Sequence, residues 1–589
     1  MTDERIIHAI GDVLQAFYHS PAHPPVVEHR RRSLPGGVIW QRLRYRWQSD
    51  GQSVGLCLNW LVFQADALDV FVTRFHERGL RRLSEDAGLQ RAIAHAFWQT
   101  TWAGSAIRGQ RGTTWPVAFV PIHRPWIEKA SPLFAERWPV GQNRWIFGRH
   151  RRLLWQCRQL VSRRGLSWRE NRFDSRSDAN AECLAWLNRC GFVDRFIGGN
   201  AGIRDAREIR ALVPVHGSHL LTRLAAGEGR YFTDGPFSPS AVVAATNSGF
   251  FLNFPEEYAH PWTAMNDPVG LFVENGRVAQ LPLVSRGTLL IDKTGQTAVA
   301  RVSMRDVAIR LPWESHWRFF GEADGFVLDK PAEKPGQIAV YTPAFLAEEP
   351  PEKRHTPETD GVDLVVLFGE VAEVRYGGMS TIPASGLVLS LAQRLIPDPE
   401  PERFLQPMHA PIQFRLQHEH FGLEAIRTAV AAGPVLLRRG NEPIPSDYFS
   451  HRFEDFRPTH IENGRPTAAG IPPTRFPHDV TDTRAPRTLI GTLPGGGLVL
   501  MVVDGRHPEH SLGATLQEAA ALLQACGCES GLNLDGGGSS VLYIRDAAEI
   551  ETVPLAPEVR PGIVNLPSDV GHQERLIPIP LFIMHHGGA

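Results

Sequence analysis

The sequence predicts an α+β fold: a mixed, largely antiparallel β-rich domain with flanking helices over 199–570, preceded by a separate mixed α/β domain over 1–198 and followed by a C-terminal tail, 571–589. Three observations lead there. After residue 200, short apolar runs such as 241–246 (AVVAAT), 269–273 (VGLFV), 363–368 (DLVVLF) and 498–503 (LVLMVV) alternate with Gly, Pro and Asn, the pattern of short strands joined by turns. Twelve of the 15 Trp lie between Trp40 and Trp186, so the composition changes near Gly198-Gly199. Only a few segments carry helical periodicity.

Taken in order, Ile6, Ile10, Val13, Leu14 and Phe17 recur at helical spacing and predict an amphipathic helix over 5–18. Val38-Ile39-Trp40 and Val54–Leu58 read as strand pieces, and 83–100 and 178–190 as further helices. Asn275-Gly276 is a hairpin turn signal, because both central residues of a type I′ turn need positive φ. The Pro- and charge-rich segments 347–361 and 440–484 read as long loops. Thr515-Leu-Gln-Glu518 is a capping box. Leu516, Ala519, Ala520 and Leu523 supply that helix's apolar face, and Gly527 its stop. A strand, Leu532-Asn533-Leu534, follows it.

With 589 residues the chain has room for two to four domains. Hydrophobic residues at 42% and charged residues at 21% exclude disorder as the dominant state. A formal net charge of −1 excludes a surface that attracts polyanions everywhere. No apolar run approaches the roughly 18 residues of a membrane-spanning helix. The N-terminus has early acids and no continuous apolar core, unlike a signal peptide. Six Cys in this length make no disulfide framework, and Cys526-Gly-Cys528 lacks zinc-ribbon or thioredoxin spacing. Together these features lead to the expectation of a cytoplasmic protein in a reducing compartment.

The most unusual segment is Asn533-Leu-Asp-Gly-Gly-Gly-Ser-Ser540, which sets a carboxylate where a strand enters a glycine turn. Three successive glycines suit positive φ or a close backbone approach, and their N–H groups can form an anion-binding nest. Taken alone, the segment also reads as a tight turn in which Asp535 caps its own backbone. Four more segments accompany it: Asn247-Ser-Gly-Phe-Phe251, Gly433-Pro434 after the run 425–432, Arg484-Ala-Pro-Arg-Thr488 and Asp504-Gly505-Arg506.

In this order, the five segments resemble the phosphodiester glycosidase family, with the patterns N-x-G-[FY]-F, A-x-x-A-G-P-x-L, R-x-P-R-T, D-G-R and N-L-D-G-G-G-S. Segments 267–276 and 382–389 are similar as well, so the resemblance spans roughly 205–550. Ser248 and Leu252 depart from the family's usual Gly and acidic residue. The resemblance implies hydrolysis of the bond between an anomeric carbon and a phosphodiester oxygen, through a transition state of oxocarbenium character. Phosphate leaves readily and needs positive charge more than a proton. Arg506 and Arg487 are the candidate phosphate ligands, with Gly536, Gly537, Gly538 and Ser539 as further donors. Asp535, then Asp504, is the candidate carboxylate that activates water or attacks the sugar; Asn247 and Asn533 are candidates to orient water or sugar hydroxyls.

No cofactor is required by this chemistry, although the resemblance leaves room for a divalent cation; no metal ligands are assigned. His418-Glu-His420 reads as exposed alternation on a strand. The stretch 144–172 holds nine Arg and one acid, with Trp145, Trp155 and Trp168 interleaved. It reads as a solvated helix face, or as a grip for nucleic acid or another phosphate-rich polymer. His585-His586 reads as part of an unstructured tail. The alternatives to a sugar-1-phosphodiester hydrolase are the same fold acting on a nucleotide sugar and a noncatalytic module that binds phosphorylated glycan or nucleic acid.

Overall fold

The computed structural model describes residues 3–82 and 219–586 with interior omissions, the longest at 253–266, 346–353, 397–411, 444–456, 467–474 and 548–558. Between these two stretches it describes four strands, Ala103–Arg108, Thr114–Phe119, Glu170–Phe173 and Arg210–His216. The elements that build the site are α1 (Asp3–Tyr18), β1 (Val26–Ser33), β2 (Ile39–Ser49), β3 (Gln52–Gln64), β4 (Leu68–Val72), β5 (Val242–Asn247), β6 (Val435–Arg438), β7 (Arg487–Thr492), β8 (Gly497–Val503), α2 (Leu516–Ala525), β9 (Ser530–Asn533), β10 (Leu542–Ile544) and β11 (Pro580–His585).

The main sheet has eight antiparallel strands in the order β1-β2-β3-β8-β7-β9-β6, closed by the short strand Glu442–Pro443. Its centre is the apolar run of β8, buried at every position. Helix α2 packs on β6, β7 and β9, and α1 packs on α2. The Thr515 hydroxyl accepts from the Glu518 N–H at 3.2 Å, and the Glu518 carboxylate accepts from the Thr515 N–H at 2.8 Å, so the expected capping box is formed. In α1 the buried stripe is Ile6, Ile10, Leu14 and Tyr18, four residues apart and so on one helix face. Phe17, expected inside, is exposed; Tyr18 is inside instead, donating to the Gly513 carbonyl at 2.8 Å.

A second sheet runs β10-β5-β11-β4, again antiparallel. A five-stranded sheet that includes Arg286–Asp292, Thr297–Val302 and Ile426–Ala431 packs against the main one. Its Phe272–Glu274 and Arg277–Gln280 strands are joined at Asn275 (φ 47°) and Gly276 (φ 80°), the hairpin the dipeptide predicted. The largely antiparallel β-rich architecture therefore stands.

The boundary near residue 198 does not. β2 and β3 put Trp40, Trp47 and Trp60 into the same core as Leu489, Leu500 and Leu532, and β3 is hydrogen-bonded to β8 along seven residue pairs. Residues 3–72 are thus part of the unit that holds the motifs. Trp40, Trp47 and Trp60 lie in long core strands, and composition carries no information about which strand will pair with them. The tail is also corrected: β11 lies between β5 and β4 in the second sheet, His585 closes it, and His586 Nε2 is 2.8 Å from the Asp66 carbonyl oxygen. The expected helices at 83–100 and 178–190, the Arg/Trp stretch up to residue 169 and most of the two long loops lie outside the described residues. Among the described residues, no helix is long and apolar enough to cross a membrane.

Candidate active site

Strand pairing brings the motifs to one end of the main sheet. β7 runs antiparallel to both β8 and β9, so its first residues meet their last ones: Arg487 is opposite Val503, and Leu489 is opposite Asn533. The start of β6 joins them through Val435 opposite Leu532. Asp504-Gly-Arg506 leaves β8 and Asp535 leaves β9 at this same edge. Asn247, the last residue of β5, reaches it from the second sheet by donating its amide N–H to the Asp535 carbonyl.

The turn itself is a single 3₁₀ turn, Gly537–Ser539. Gly537 has φ +62°, and a Cβ there would lie 3.2 Å from Arg506 Nη2. A Cβ on Gly538 would lie 2.1 Å from Arg575 Nη2 and 2.3 Å from Asp569 Oδ1, so side chains stand directly on the glycine backbone. The expected nest of free N–H groups is largely filled from within. The Gly537 N–H donates to the Pro486 carbonyl at 2.9 Å, Ser539 to Gly536 at 3.2 Å and Ser540 to Gly537 at 3.1 Å. The Gly536 N–H and the Ser539 hydroxyl both serve the Asp535 carboxylate.

Asp535 is partly buried. Desolvation pushes its carboxyl up to about 6, against the opposing pull of the Ser539 hydroxyl, the Arg575 charge and the Gly536 N–H. A carboxyl so placed is close to its titration midpoint under mildly acidic conditions, which suits proton transfer.

The other candidates divide into exposed and internally engaged groups. Arg506 is exposed, with φ 64°, and its Nη1 is 3.5 Å from Ser568 Oγ. Arg487 is buried and faces away from solvent. Its Nε donates to the Ala514 carbonyl at 2.8 Å and its Nη2 to the Thr483 carbonyl at 2.9 Å. Asn247 is fully engaged, with Oδ1 accepting from the Thr488 hydroxyl at 2.9 Å and the Val541 N–H at 3.3 Å. Asn533 Nδ2 donates to the Gly433 carbonyl at 2.9 Å; its Oδ1 is buried without a hydrogen-bond partner among the described residues. Ser248, where the sequence departs from the family pattern, donates its hydroxyl to the Ile579 carbonyl at 2.7 Å, and its own carbonyl accepts the Asp535 N–H at 2.8 Å. Leu252 is buried with Val269 and Val284.

Asp504 is buried behind this edge. Oδ2 is 2.8 Å from His510 Nε2, Oδ1 accepts from the Leu566 N–H at 3.1 Å, and the Ser511 hydroxyl donates to its carbonyl at 2.6 Å. Such a carboxylate braces the loop that carries Arg506. Cys57, from β3, lies beside it, and burial, then the Asp504 charge, pushes its thiol well above the usual range. Cys57, Asp504 and His510 have ligand atoms within 4.8 Å of one another, which makes them, among the described residues, the group that could share a cation. Both Asp504 oxygens are already engaged, so this group is a hydrogen-bonded brace as it stands.

Several groups at this edge were missed from the sequence. Arg575 and Asp569 lie where the sequence predicts a domain end and a tail, and in sequence they are an isolated base and an isolated acid. His507 and His572 are in tilted ring contact with centroids 4.7 Å apart, and burial, then His572 and His510, lower the His507 pKa. The apolar run 576–584 was the available signal that the tail is structured.

A family model described as phosphodiester glycosidase matches residues 369–583. The match starts later and ends later than the resemblance read from the motifs, leaving out Asn247 and taking in Arg575. No curated protein matches the chain. Among solved structures, a protein from Burkholderia pseudomallei described as exported aligns at 16% identity over 96% of this chain and 97% of its own, with TM-score 0.39. A hypothetical protein from Synechocystis aligns at 14% identity over 98% and 85%, with TM-score 0.32. The catalytic domain of zebrafish N-acetylglucosamine-1-phosphodiester alpha-N-acetylglucosaminidase, auto-inhibited by its pro-peptide, aligns at 9% identity over 98% and 93%, with TM-score 0.31. The first of these is described as exported, which does not agree with the cytoplasmic expectation; that expectation is withdrawn. Residues 369–583, which hold β6 to β10 and most of β11, thus resemble the phosphodiester glycosidase family, in agreement with the motifs.

Proposed function

We propose that the chain is a hydrolase that cleaves the bond between a sugar's anomeric carbon and a phosphodiester, at the turn that begins with Asp535. The observation that carries this reading is the pairing of a carboxyl raised to about 6 with guanidinium groups on the adjoining glycines. The phosphate would lie against Arg506, whose exposed planar fork suits its oxygens. Arg506 would stabilise charge on the departing phosphate as the glycosidic bond breaks. Asp535, once ionised, would activate water or attack the anomeric carbon. Ser539, an expected phosphate donor, instead serves Asp535, and Arg487, Asp504, Asn247 and Asn533 act as positioning groups. No step needs a metal ion in this scheme.

The test is incubation of the full chain with sugar-1-phosphodiesters and nucleotide sugars, whose anomeric carbons are alike phosphate-linked, with mass spectrometry of the products. Release of free sugar by the wild type and not by Asp535→Asn is expected. Turnover of no member, or equal turnover by both proteins, would refute the proposal. Selective turnover of nucleotide sugars would move the substrate class and keep the chemistry.

A further inference from the structure

Arg575 and Asp569 form a two-point pair over the glycine turn: Nε to Oδ2 at 3.0 Å and Nη2 to Oδ1 at 3.0 Å. Both are partly exposed, at 44% and 32%. The neighbouring Ser568 faces the other guanidinium, with Oγ 3.5 Å from Arg506 Nη1. One short segment, Ser568-Asp569, therefore offers an oxygen to each arginine that flanks the turn. The segment is held in a surface loop: His572 N–H donates to the Asp569 carbonyl at 2.9 Å, and His572 Nδ1 is 3.0 Å from the Pro567 carbonyl oxygen. Val570, next in the chain, is almost entirely exposed.

We infer that Arg506 and Arg575 together form a phosphate subsite whose resting occupant is the Asp569 carboxylate, which an incoming phosphodiester displaces. The inference rests on the proposed reaction only for the identity of the ligand. A guanidinium fork accepts a carboxylate and a phosphate in the same two-point geometry. A phosphodiester carries the same single charge as the carboxylate and can take its place on the guanidinium, with the displaced Asp569 side chain turning to solvent. An exposed pair of this kind is weakly held, which makes Asp569 displaceable. The absence of a side chain at Gly538 lets the fork sit on the backbone beside Asp535, within reach of a phosphate on a carbon that Asp535 attacks. Among the described residues, Arg506, Arg575, Asp569 and Asp535 are charged or titratable groups at this turn.

Binding and hydrolysis test this separately. Titration calorimetry of the full chain with inorganic phosphate, at fixed ionic strength, should give tighter binding for Asp569→Asn by about two- to fivefold, since a competing exposed ion pair is removed. Arg575→Ala should weaken it by about tenfold or more, with Arg575→Lys intermediate. Circular dichroism would check folding, and Asp569→Asn and Arg575→Lys decide the matter if Arg575→Ala does not fold. Unchanged phosphate affinity in Asp569→Asn and in the Arg575 variants would overturn the subsite, as would a wild type that binds no phosphate. The expected binding pattern without hydrolysis of any substrate would uphold the subsite and sink the catalytic proposal. Hydrolysis with an unaltered KM in the Arg575 variants would do the reverse.

Discussion

Asn247 and Asp535 are 288 positions apart, and the Asn247 amide donates a hydrogen bond to the Asp535 carbonyl. The same side chain accepts from Thr488 and Val541, so one buried amide joins the second sheet to β7 and to both sides of the glycine turn. Asn247→Ala would leave a carbonyl, a hydroxyl and an N–H without a partner. Unsatisfied buried groups of this kind cost about 1–3 kcal/mol each before relaxation, and a net loss of about 2–4 kcal/mol is expected. Denaturant unfolding measures it. A loss below about 0.5 kcal/mol, the range of ordinary surface changes, would mean that the amide does not pin the turn.

Asp535 should trade stability for chemistry. Its carboxyl is raised from 3.8 to about 6 in the fold, so the native state holds the proton more tightly than the unfolded chain. The stability this contributes is complete below the unfolded value and is lost as pH rises through about 6. Asp535→Asn should therefore match the wild type at acid pH and exceed it by about 1–3 kcal/mol above pH 7. Turnover should fall by about 10²–10⁴-fold, and the wild-type rate should rise as pH passes through about 6. Melting of both proteins across pH, beside their rate profiles, checks both. A variant less stable than wild type at neutral pH would contradict the raised carboxyl.

The two motif arginines should behave as different kinds of residue. Arg487→Ala removes a buried guanidinium from the Ala514 and Thr483 carbonyls, and a loss of about 2–4 kcal/mol is expected. Arg506→Ala removes an exposed group, so stability should change by less than about 0.5 kcal/mol. Its effect should instead appear as a higher KM and a lower kcat, because both bound substrate and departing phosphate lose an attraction. Thermal melts and steady-state kinetics on both variants would expose an error if Arg506 proved the structural one.

A fragment of residues 200–589 should not fold. It retains every motif residue yet lacks β3, leaving β8 with an open edge and the side chains of Leu500 and Met501 without Trp60 and its neighbours. Absence of a cooperative unfolding transition is expected, with aggregation through the exposed strand. A soluble fragment with a sharp melt and ordered near-ultraviolet dichroism would restore the boundary near residue 198.

Local signals were read well where the chemistry is local. The Thr515–Glu518 cap, the Asn275-Gly276 turn and the strand of 498–503 each depend on a few adjacent residues, and each is present. Reading failed where the outcome depends on partners. Arg487 sits in a motif beside Arg484, a context that suggests a phosphate ligand. Its guanidinium instead turns inward to Ala514, because β7 is buried between β8 and β9. Arg575 carried no motif at all, and pairing of β11 with β5 brings the segment before it onto the glycine turn.

The sequence by itself determined the β-rich class, the resemblance to the phosphodiester glycosidase family, and the strand-to-glycine turn that carries Asp535, since each is written in residue types at short spacing. Tertiary structure alone decided that β1–β3 belong to the main sheet, that Asp504 is a buried brace and Arg506 an exposed cation, and that Arg575 and Asp569 cover the turn. Those outcomes follow from sheet pairing between segments hundreds of residues apart. The pairing energy lies in packing and hydrogen bonds that exist only once both strands are in place.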